Sequence, residues 1–128
     1  SVDPLIAPER LIEIKIRTNA IERAFALQEA KSHPDKTPPR VVNVDPGYLN
    51  HSKVVLASTK DHAHRIYVGR GIFEEITLNY QRKPDPGFRE KPWTYPDYQM
   101  PERLDYFNRL REVYDRQMRT CRETERDE

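Results

Sequence analysis

The sequence contains a single cysteine, Cys121, so it can form neither an internal disulfide nor a multi-cysteine metal site. No apolar run approaches the roughly 20 residues that a membrane-spanning helix needs. These shortages argue against disulfide-stapled and membrane-spanning classes. We therefore expect a cytoplasmic protein with no membrane partner.

Glycine is also scarce, with 4 in 128 residues, and none is followed by lysine. A guanine-nucleotide switch protein needs a glycine loop ending in Gly-Lys-Ser/Thr, whose backbone N–H groups hold the phosphates. Asp45-Pro46-Gly47 and Thr59-Lys60-Asp61 are each one residue shorter than the further motifs Asp-x-x-Gly and Thr-Lys-x-Asp. The sequence therefore predicts no P-loop GTPase activity.

The charges nearly cancel: 22 Lys and Arg face 21 Asp and Glu, for a net charge of +1. This balance argues against nucleic acid as a partner. Residues 40–70 are nevertheless net positive and hold three of the four histidines. Hydrophobic residues make up 36% of the chain and charged residues 34%, which predicts one modest core with solvated helices.

The hydrophobic pattern predicts an α+β fold. Apolar residues recur at helical spacing over residues 8–30 and again from Pro101 to Met118. Over residues 65–80, two alternating runs flank a glycine-containing loop, which is typical of a β-hairpin. We expect a small antiparallel sheet packed by the N-terminal helix and a long C-terminal helix. This single domain would span residues 1–118, followed by a solvated tail over residues 119–128.

Several local alternatives stay open. Ile12, Ile14 and Ile16 alternate with charged residues, so a strand there competes with the helix. Residues 41–44 predict a short strand that ends at the Asp45-Pro46-Gly47 turn.

Two further segments precede and follow the hairpin. Residues 51–59 predict a short helix capped by Asn50, with a buried strand over 53–58 as the alternative. Residues 81–100 contain four prolines and predict an ordered loop that packs its aromatic residues onto the domain. Within that loop we expect Trp93 to be largely buried against the first or last helix.

Several blocks of the sequence resemble, in one order, an uncharacterised bacterial family catalogued as domain of unknown function 4416. The blocks are Glu13-Ile14-Lys15 with Thr18-Asn19, Val42-Asn43-Val44-Asp45-Pro46-Gly47-Tyr48-Leu49, Lys53-Val54-Val55-Leu56-Ala57-Ser58-Thr59-Lys60-Asp61, His64-Arg65-Ile66-Tyr67-Val68-Gly69, Gly71-Ile72, Glu75-Ile76-Thr77-Leu78, Pro92-Trp93-Thr94-Tyr95-Pro96-Asp97-Tyr98 and Phe107-Asn108. The resemblance implies a domain without an established activity, some members of which are labelled GTP-binding protein. It also implies a further segment before Ser1 that contains a strand and a helix.

The candidate site lies around the start of the hairpin. Ammonium, imidazole and guanidinium groups are the donors that hold a phosphate or carboxylate, so we expect Lys60, His64 and Arg65 to act together on one anion. Glu75 is expected to pair with Arg65 across the hairpin or to act as a base. The full set of predicted ligand-binding residues is Lys53, Lys60, Asp61, His64, Arg65 and Glu75, supported by Asp45, Tyr48 and Tyr67. The competing interpretation is a solvated turn with charged edge residues.

The leading function is the binding of a small anionic ligand, such as a nucleotide or phosphorylated metabolite, with catalysis left open and no cofactor expected. The histidines near Asp61 offer metal ligands, but surface histidines in a turn explain them as well, and we predict no metal. The alternative function is a non-enzymatic protein-interaction module that uses the aromatic segment 93–98 and the C-terminal helix. A homodimer is one form that such a module could take.

Overall fold

The computed structural model describes residues 7–32 and 45–127 of the chain. Those residues form an α+β fold with three helices and five strands, which confirms the predicted fold class. The elements are α1 (Arg10–Ser32), β1 (Gly47–Leu49), β2 (Lys53–Ser58), β3 (Arg65–Gly69), β4 (Ile72–Gln81), β5 (Gly87–Glu90), α2 (Pro96–Gln99) and α3 (Pro101–Asp127).

The sheet is antiparallel and is organised around its long strand β4. β1 pairs with β2, and β2 pairs with β4 over residues 73–79. The other edge of β4 is shared by two short strands: β3 pairs with residues 72–75, and β5 pairs with residues 78–81. Ile76 and Thr77 therefore lie in a gap between β3 and β5.

Side chains from the loop after β5 close this gap. The Trp93 Nε1–H donates to the Ile76 carbonyl at 2.9 Å, and the Thr94 hydroxyl donates to the Thr77 carbonyl at 2.6 Å. The Thr94 hydroxyl oxygen also accepts the backbone N–H of Lys91 at 2.8 Å. Both carbonyls that face the gap thus have a side-chain partner, which the fully buried carbonyl of Thr77 requires.

The two long helices pack on opposite faces of the sheet. Leu11 of α1 joins a buried cluster with Val55 and other sheet residues. Val54 belongs to a second buried cluster, against which Leu104 and Phe107 of α3 pack. Because successive side chains of a strand point to opposite faces, the neighbouring positions of Val54 and Val55 place α1 and α3 on opposite sides. This confirms that both helices cover the sheet.

The short helix predicted over residues 51–59 is wrong, and the alternative strand is correct. Asn50 does not cap a helix: its Oδ1 accepts the backbone N–H groups of Ser52 at 2.9 Å and Lys53 at 3.0 Å, which forms a turn into β2. The apolar run that follows is buried by helices on both faces of the sheet, so it lacks the alternation of a half-exposed strand.

The proline-rich segment 81–100 is more regular than predicted, since it contains β5 and α2. The expectation that Trp93 is largely buried against a helix is wrong. Trp93 is half-buried and its ring stacks on His64 at the sheet edge. Tyr98 does pack onto α3, where its ring stacks on Phe107, whereas Tyr95 is exposed.

The remaining local predictions concern the two long helices, the hairpin and residues 41–44. Helix α1 runs unbroken from Arg10 to Ser32, so the competing strand is wrong. The hairpin is confirmed, and its turn uses positive φ angles of 55° at Arg70 and 79° at Gly71. Helix α3 continues beyond Met118 to Asp127. The strand predicted at residues 41–44 lies outside the described residues.

Candidate ligand-binding cleft

The buried carboxylate of Glu75 on β4 is the centre of the candidate site. Glu75 is only 3% exposed and lies opposite Arg65 in the register of β3 and β4. Its Oε1 accepts the Arg65 Nε–H at 3.0 Å and faces His64 Nε2 at 2.8 Å. Its Oε2 accepts the Thr77 hydroxyl at 3.0 Å. These contacts offset the cost of burying the charge.

A β-bulge places Thr77 beside this carboxylate. Val54 pairs with Leu78 and the next residue, Val55, pairs with Ile76, so β4 carries one extra residue, Thr77. Bulges locally redirect side chains, and they are frequent next to functional sites. Here the Thr77 hydroxyl reaches Glu75, while its carbonyl is held by the loop that closes the sheet edge.

The guanidinium of Arg65 is fixed on two of its nitrogens. Nε donates to Glu75, and Nη1 donates to the Ser58 hydroxyl at 3.0 Å and to the Lys60 carbonyl at 3.1 Å. Within residues 7–32 and 45–121, Nη2 has no hydrogen-bond partner, although the side chain is 5% exposed. In that part of the chain every fully buried side-chain nitrogen has a hydrogen-bond partner. Because Nη2 has none, it is not fully buried, and a ligand in the cleft that Arg65 lines can reach it.

This cleft has a volume of about 560 Å³. It lies between α1, the end of β2 with the turn that follows, and the segment around α2. Its lining includes the cationic residues Lys15, Lys60 and Arg65, the carboxylates Glu22, Asp45, Glu75 and Asp97, and the polar residues Asn19, Ser58, Thr59 and Tyr98. The lining is therefore polar and carries charges of both signs.

Two polar groups in the cleft have defined environments. Lys15 is almost fully buried, and its Nζ lies 3.5 Å from Asp45 Oδ1. Burial raises the pKa of the Tyr98 hydroxyl, and the negative charge of Asp45 raises it further. Tyr98 therefore remains a neutral phenol that can donate or accept a hydrogen bond near neutral pH.

The structure divides the predicted site residues between two surfaces. Lys60, Arg65, Glu75 and Asp45 line the cleft. The second surface is a largely apolar groove of about 370 Å³, and the predicted residues that line it are Lys53, His64, Glu75 and Tyr48. Only Glu75 belongs to both.

Two predicted residues line neither surface. Asp61 is exposed in the turn before β3. Tyr67 is also exposed; its hydroxyl accepts the Gly71 backbone N–H at 3.1 Å and its ring contacts Phe73. Both contacts of Tyr67 are made within the hairpin.

In the apolar groove, two polar groups are shifted toward their neutral forms. Burial raises the pKa of the Glu74 carboxyl. Burial also raises the pKa of the Tyr48 hydroxyl, and the charge of Glu74 adds to that effect.

Sequence reasoning missed the contribution of α1 and of the aromatic segment to the cleft. Lys15 carried a usable signal, because it follows the buried Leu11 by four residues and so shares its face of the helix. Tyr98 carried a weaker one, since an aromatic residue in a proline-rich loop is equally expected in a purely structural contact. Ser58 showed no signal beyond its position at a strand end.

The described residues form neither a cluster of metal ligands nor a membrane-spanning helix. Residues 7–32 and 45–121 contain no group of three or more His, Cys, Asp or Glu side chains arranged to hold a metal ion. Among the helices in the described part of the chain, none has the length and apolar content to cross a membrane.

An antiparallel five-stranded sheet between two long helices, with a mixed-charge cleft beside it, defines an α+β domain with a cavity large enough for a small molecule. A family model described as "Domain of unknown function (DUF4416)" matches residues 1–114. The chain belongs to this family. No curated protein and no solved structure matches the chain.

Proposed function

We propose that this domain binds a small anionic ligand in the cleft, through Arg65 Nη2 and the Lys60 ammonium group. The observation that carries the proposal is the state of Arg65. Its side chain is nearly buried and held by three hydrogen bonds, yet one nitrogen remains unpartnered among the described residues. An arginine fixed in this way loses little conformational entropy when it binds a phosphate or carboxylate.

The other charges in the cleft narrow the ligand class. Glu75 is compensated by Arg65, and Asp45 lies beside Lys15. The Asp97 carboxylate can accept hydrogen bonds from ligand hydroxyl groups. The mixed lining favours a molecule with one anionic group and several hydroxyls, such as a phosphorylated metabolite, a class that includes nucleotides.

The direct test is a thermal-unfolding screen with sulfate, inorganic phosphate and a panel of phosphorylated metabolites, followed by calorimetry of each compound that stabilises. A ligand present at 100 times its dissociation constant stabilises the folded state by about 2.7 kcal/mol. We expect stabilisation that is lost in Arg65→Lys, which retains the charge but not the planar fork. If no compound stabilises the protein, the proposal is wrong.

A second candidate function is a protein-interaction module, and the apolar groove supports it. Ile66 on β3 is 70% exposed and Ile76 on β4 is 39% exposed. Both line the groove beside Trp93, which belongs to the aromatic segment. If this groove joins two copies of the chain, sedimentation should detect a dimer that Ile66→Glu dissociates. The exposed α1 residue Ile21, replaced by glutamate in the same way, is the matched control.

A further inference from the structure

We infer that His64 is a positioning residue whose protonation strengthens anion binding at Arg65. The inference rests on the proposed function of the cleft and concerns its regulation. His64 does not line the cleft; it acts through Glu75, since His64 Nε2 and Arg65 Nε contact the same oxygen, Oε1, at 2.8 and 3.0 Å.

The shared oxygen makes the two cations compete for one negative charge. When His64 is neutral, the Glu75 carboxylate compensates Arg65 alone. When the imidazole takes up a proton, it adds a second positive charge at the same carboxylate oxygen and draws part of the carboxylate charge away from Arg65. The guanidinium then attracts a ligand anion more strongly. Because coupling is reciprocal, a bound anion must favour the protonated form of His64 by the same factor.

The other groups around His64 set the background for this switch. His62 contacts it edge-on at 5.6 Å between ring centroids. Lys53 and Glu74 line the same groove, and Lys91 Nζ lies 5.8 Å from the centroid of the Trp93 ring on which His64 stacks. Two of these neighbours are cations and one is a carboxylate. Glu75 differs from all of these because it alone contacts both His64 and Arg65.

The structure also supplies a reporter. The chain has one tryptophan, and its ring lies 5.0 Å from the His64 ring, with 9° between the planes. A protonated imidazole in contact with an indole quenches its fluorescence. The emission of Trp93 as a function of pH therefore follows the protonation of His64 without any assay of activity.

The experiment uses sulfate as the probe, because its charge is constant between pH 6 and 8, the range in which a histidine ordinarily changes charge. At fixed ionic strength, calorimetry should show about fivefold weaker sulfate binding at pH 8 than at pH 6, within the usual range of coupling between sites. Saturating sulfate should move the midpoint of the Trp93 emission titration upward by about 0.7 pH unit, which is the same fivefold factor.

Two variants separate His64 from its neighbour. His64→Gln retains an amide N–H that can donate to Glu75 but cannot take up a proton, so both effects should disappear while sulfate still binds. His62→Gln is the matched control and should retain both effects.

The outcomes distinguish this inference from the proposed function. If sulfate binds equally at pH 6 and pH 8, or if His64→Gln retains the pH dependence, the role of His64 is refuted and the anion site stands. If sulfate does not bind even at pH 6, where binding should be strongest, the inference is refuted; the anion site is refuted with it only if no phosphorylated metabolite of the panel binds either.

Discussion

Replacing Thr94 with valine removes one hydroxyl from the loop that closes the gap between β3 and β5. Thr94 is buried, and its Oγ1 makes two hydrogen bonds, to the Thr77 carbonyl and from the Lys91 N–H. Valine has nearly the same shape, so the change removes these bonds without a large cavity. A buried polar group that loses its partner costs about 1–3 kcal/mol. Thr77 is fully buried, whereas water reaches half-buried Lys91 more easily, so we expect a total loss of about 2–4 kcal/mol.

The assay is urea unfolding followed by far-UV circular dichroism, in which a lower midpoint with an unchanged slope reports lost stability. Thr120→Val is the matched control, because Thr120 is exposed on α3 and its hydroxyl donates to the Arg116 carbonyl of the same helix. The control should change stability by no more than about 0.5 kcal/mol. If Thr94→Val is no less stable than Thr120→Val, the Thr94 hydroxyl does not hold the sheet edge and the reasoning is refuted.

Calorimetry should show that Lys60→Ala binds the anionic ligand about 1.5–3 kcal/mol more weakly if the Lys60 ammonium makes a charge-assisted bond. The control is Arg82→Ala, which removes an exposed charge outside the cleft and should leave the affinity unchanged. Trp93→Phe keeps an aromatic ring but loses the N–H that donates to Ile76, so urea unfolding should report a loss of about 1 kcal/mol. Because the pKa of Tyr98 is raised in the folded protein, its contribution to stability is present below pH about 10 and is lost as the pH rises through the folded-state pKa. Tyr98→Phe should therefore lose less stability than the wild type in alkaline urea titrations, and an equal loss in both would contradict the assignment.

The local sequence pattern was sufficient to predict those elements whose burial in the structure follows the usual pattern for their type. The hairpin is recognisable because alternating residues flank a turn that contains two glycines, and its register places Arg65 opposite Glu75. β2 was harder, because helices cover both faces of the sheet there and remove the alternation. β5 has only four residues and follows Pro84 and Pro86. These prolines predict a loop, and the pattern of so short a strand does not outweigh them.

The candidate site was predictable only in part, because some of its residues lie far from the hairpin along the chain. The pairing of Arg65 with Glu75 follows from the hairpin, and Lys60 precedes it closely in the same turn. Lys15 approaches the site from α1 and Tyr98 from α2, so no sequence spacing links them to it. His64 does not line the cleft, and its ring stacks on Trp93, which is 29 residues further along the chain, a contact that local pattern does not encode.

The extra residue in β4 serves the site and not the pairing of the strands. Thr77 separates two phases of alternation: residues up to Ile76 alternate in one phase, and residues from Leu78 in the other. Deleting Thr77 would join the two halves into a regular ladder in which Ile76 still pairs with Val55 and Leu78 with Val54, so neither half would change faces. Glu75 would also stay opposite Arg65. The deletion would instead remove the hydroxyl that donates to Glu75 and the carbonyl that accepts from Thr94. A β4 that is one residue shorter could therefore keep the fold and lose these contacts, so the length of this strand is itself a signature of the site.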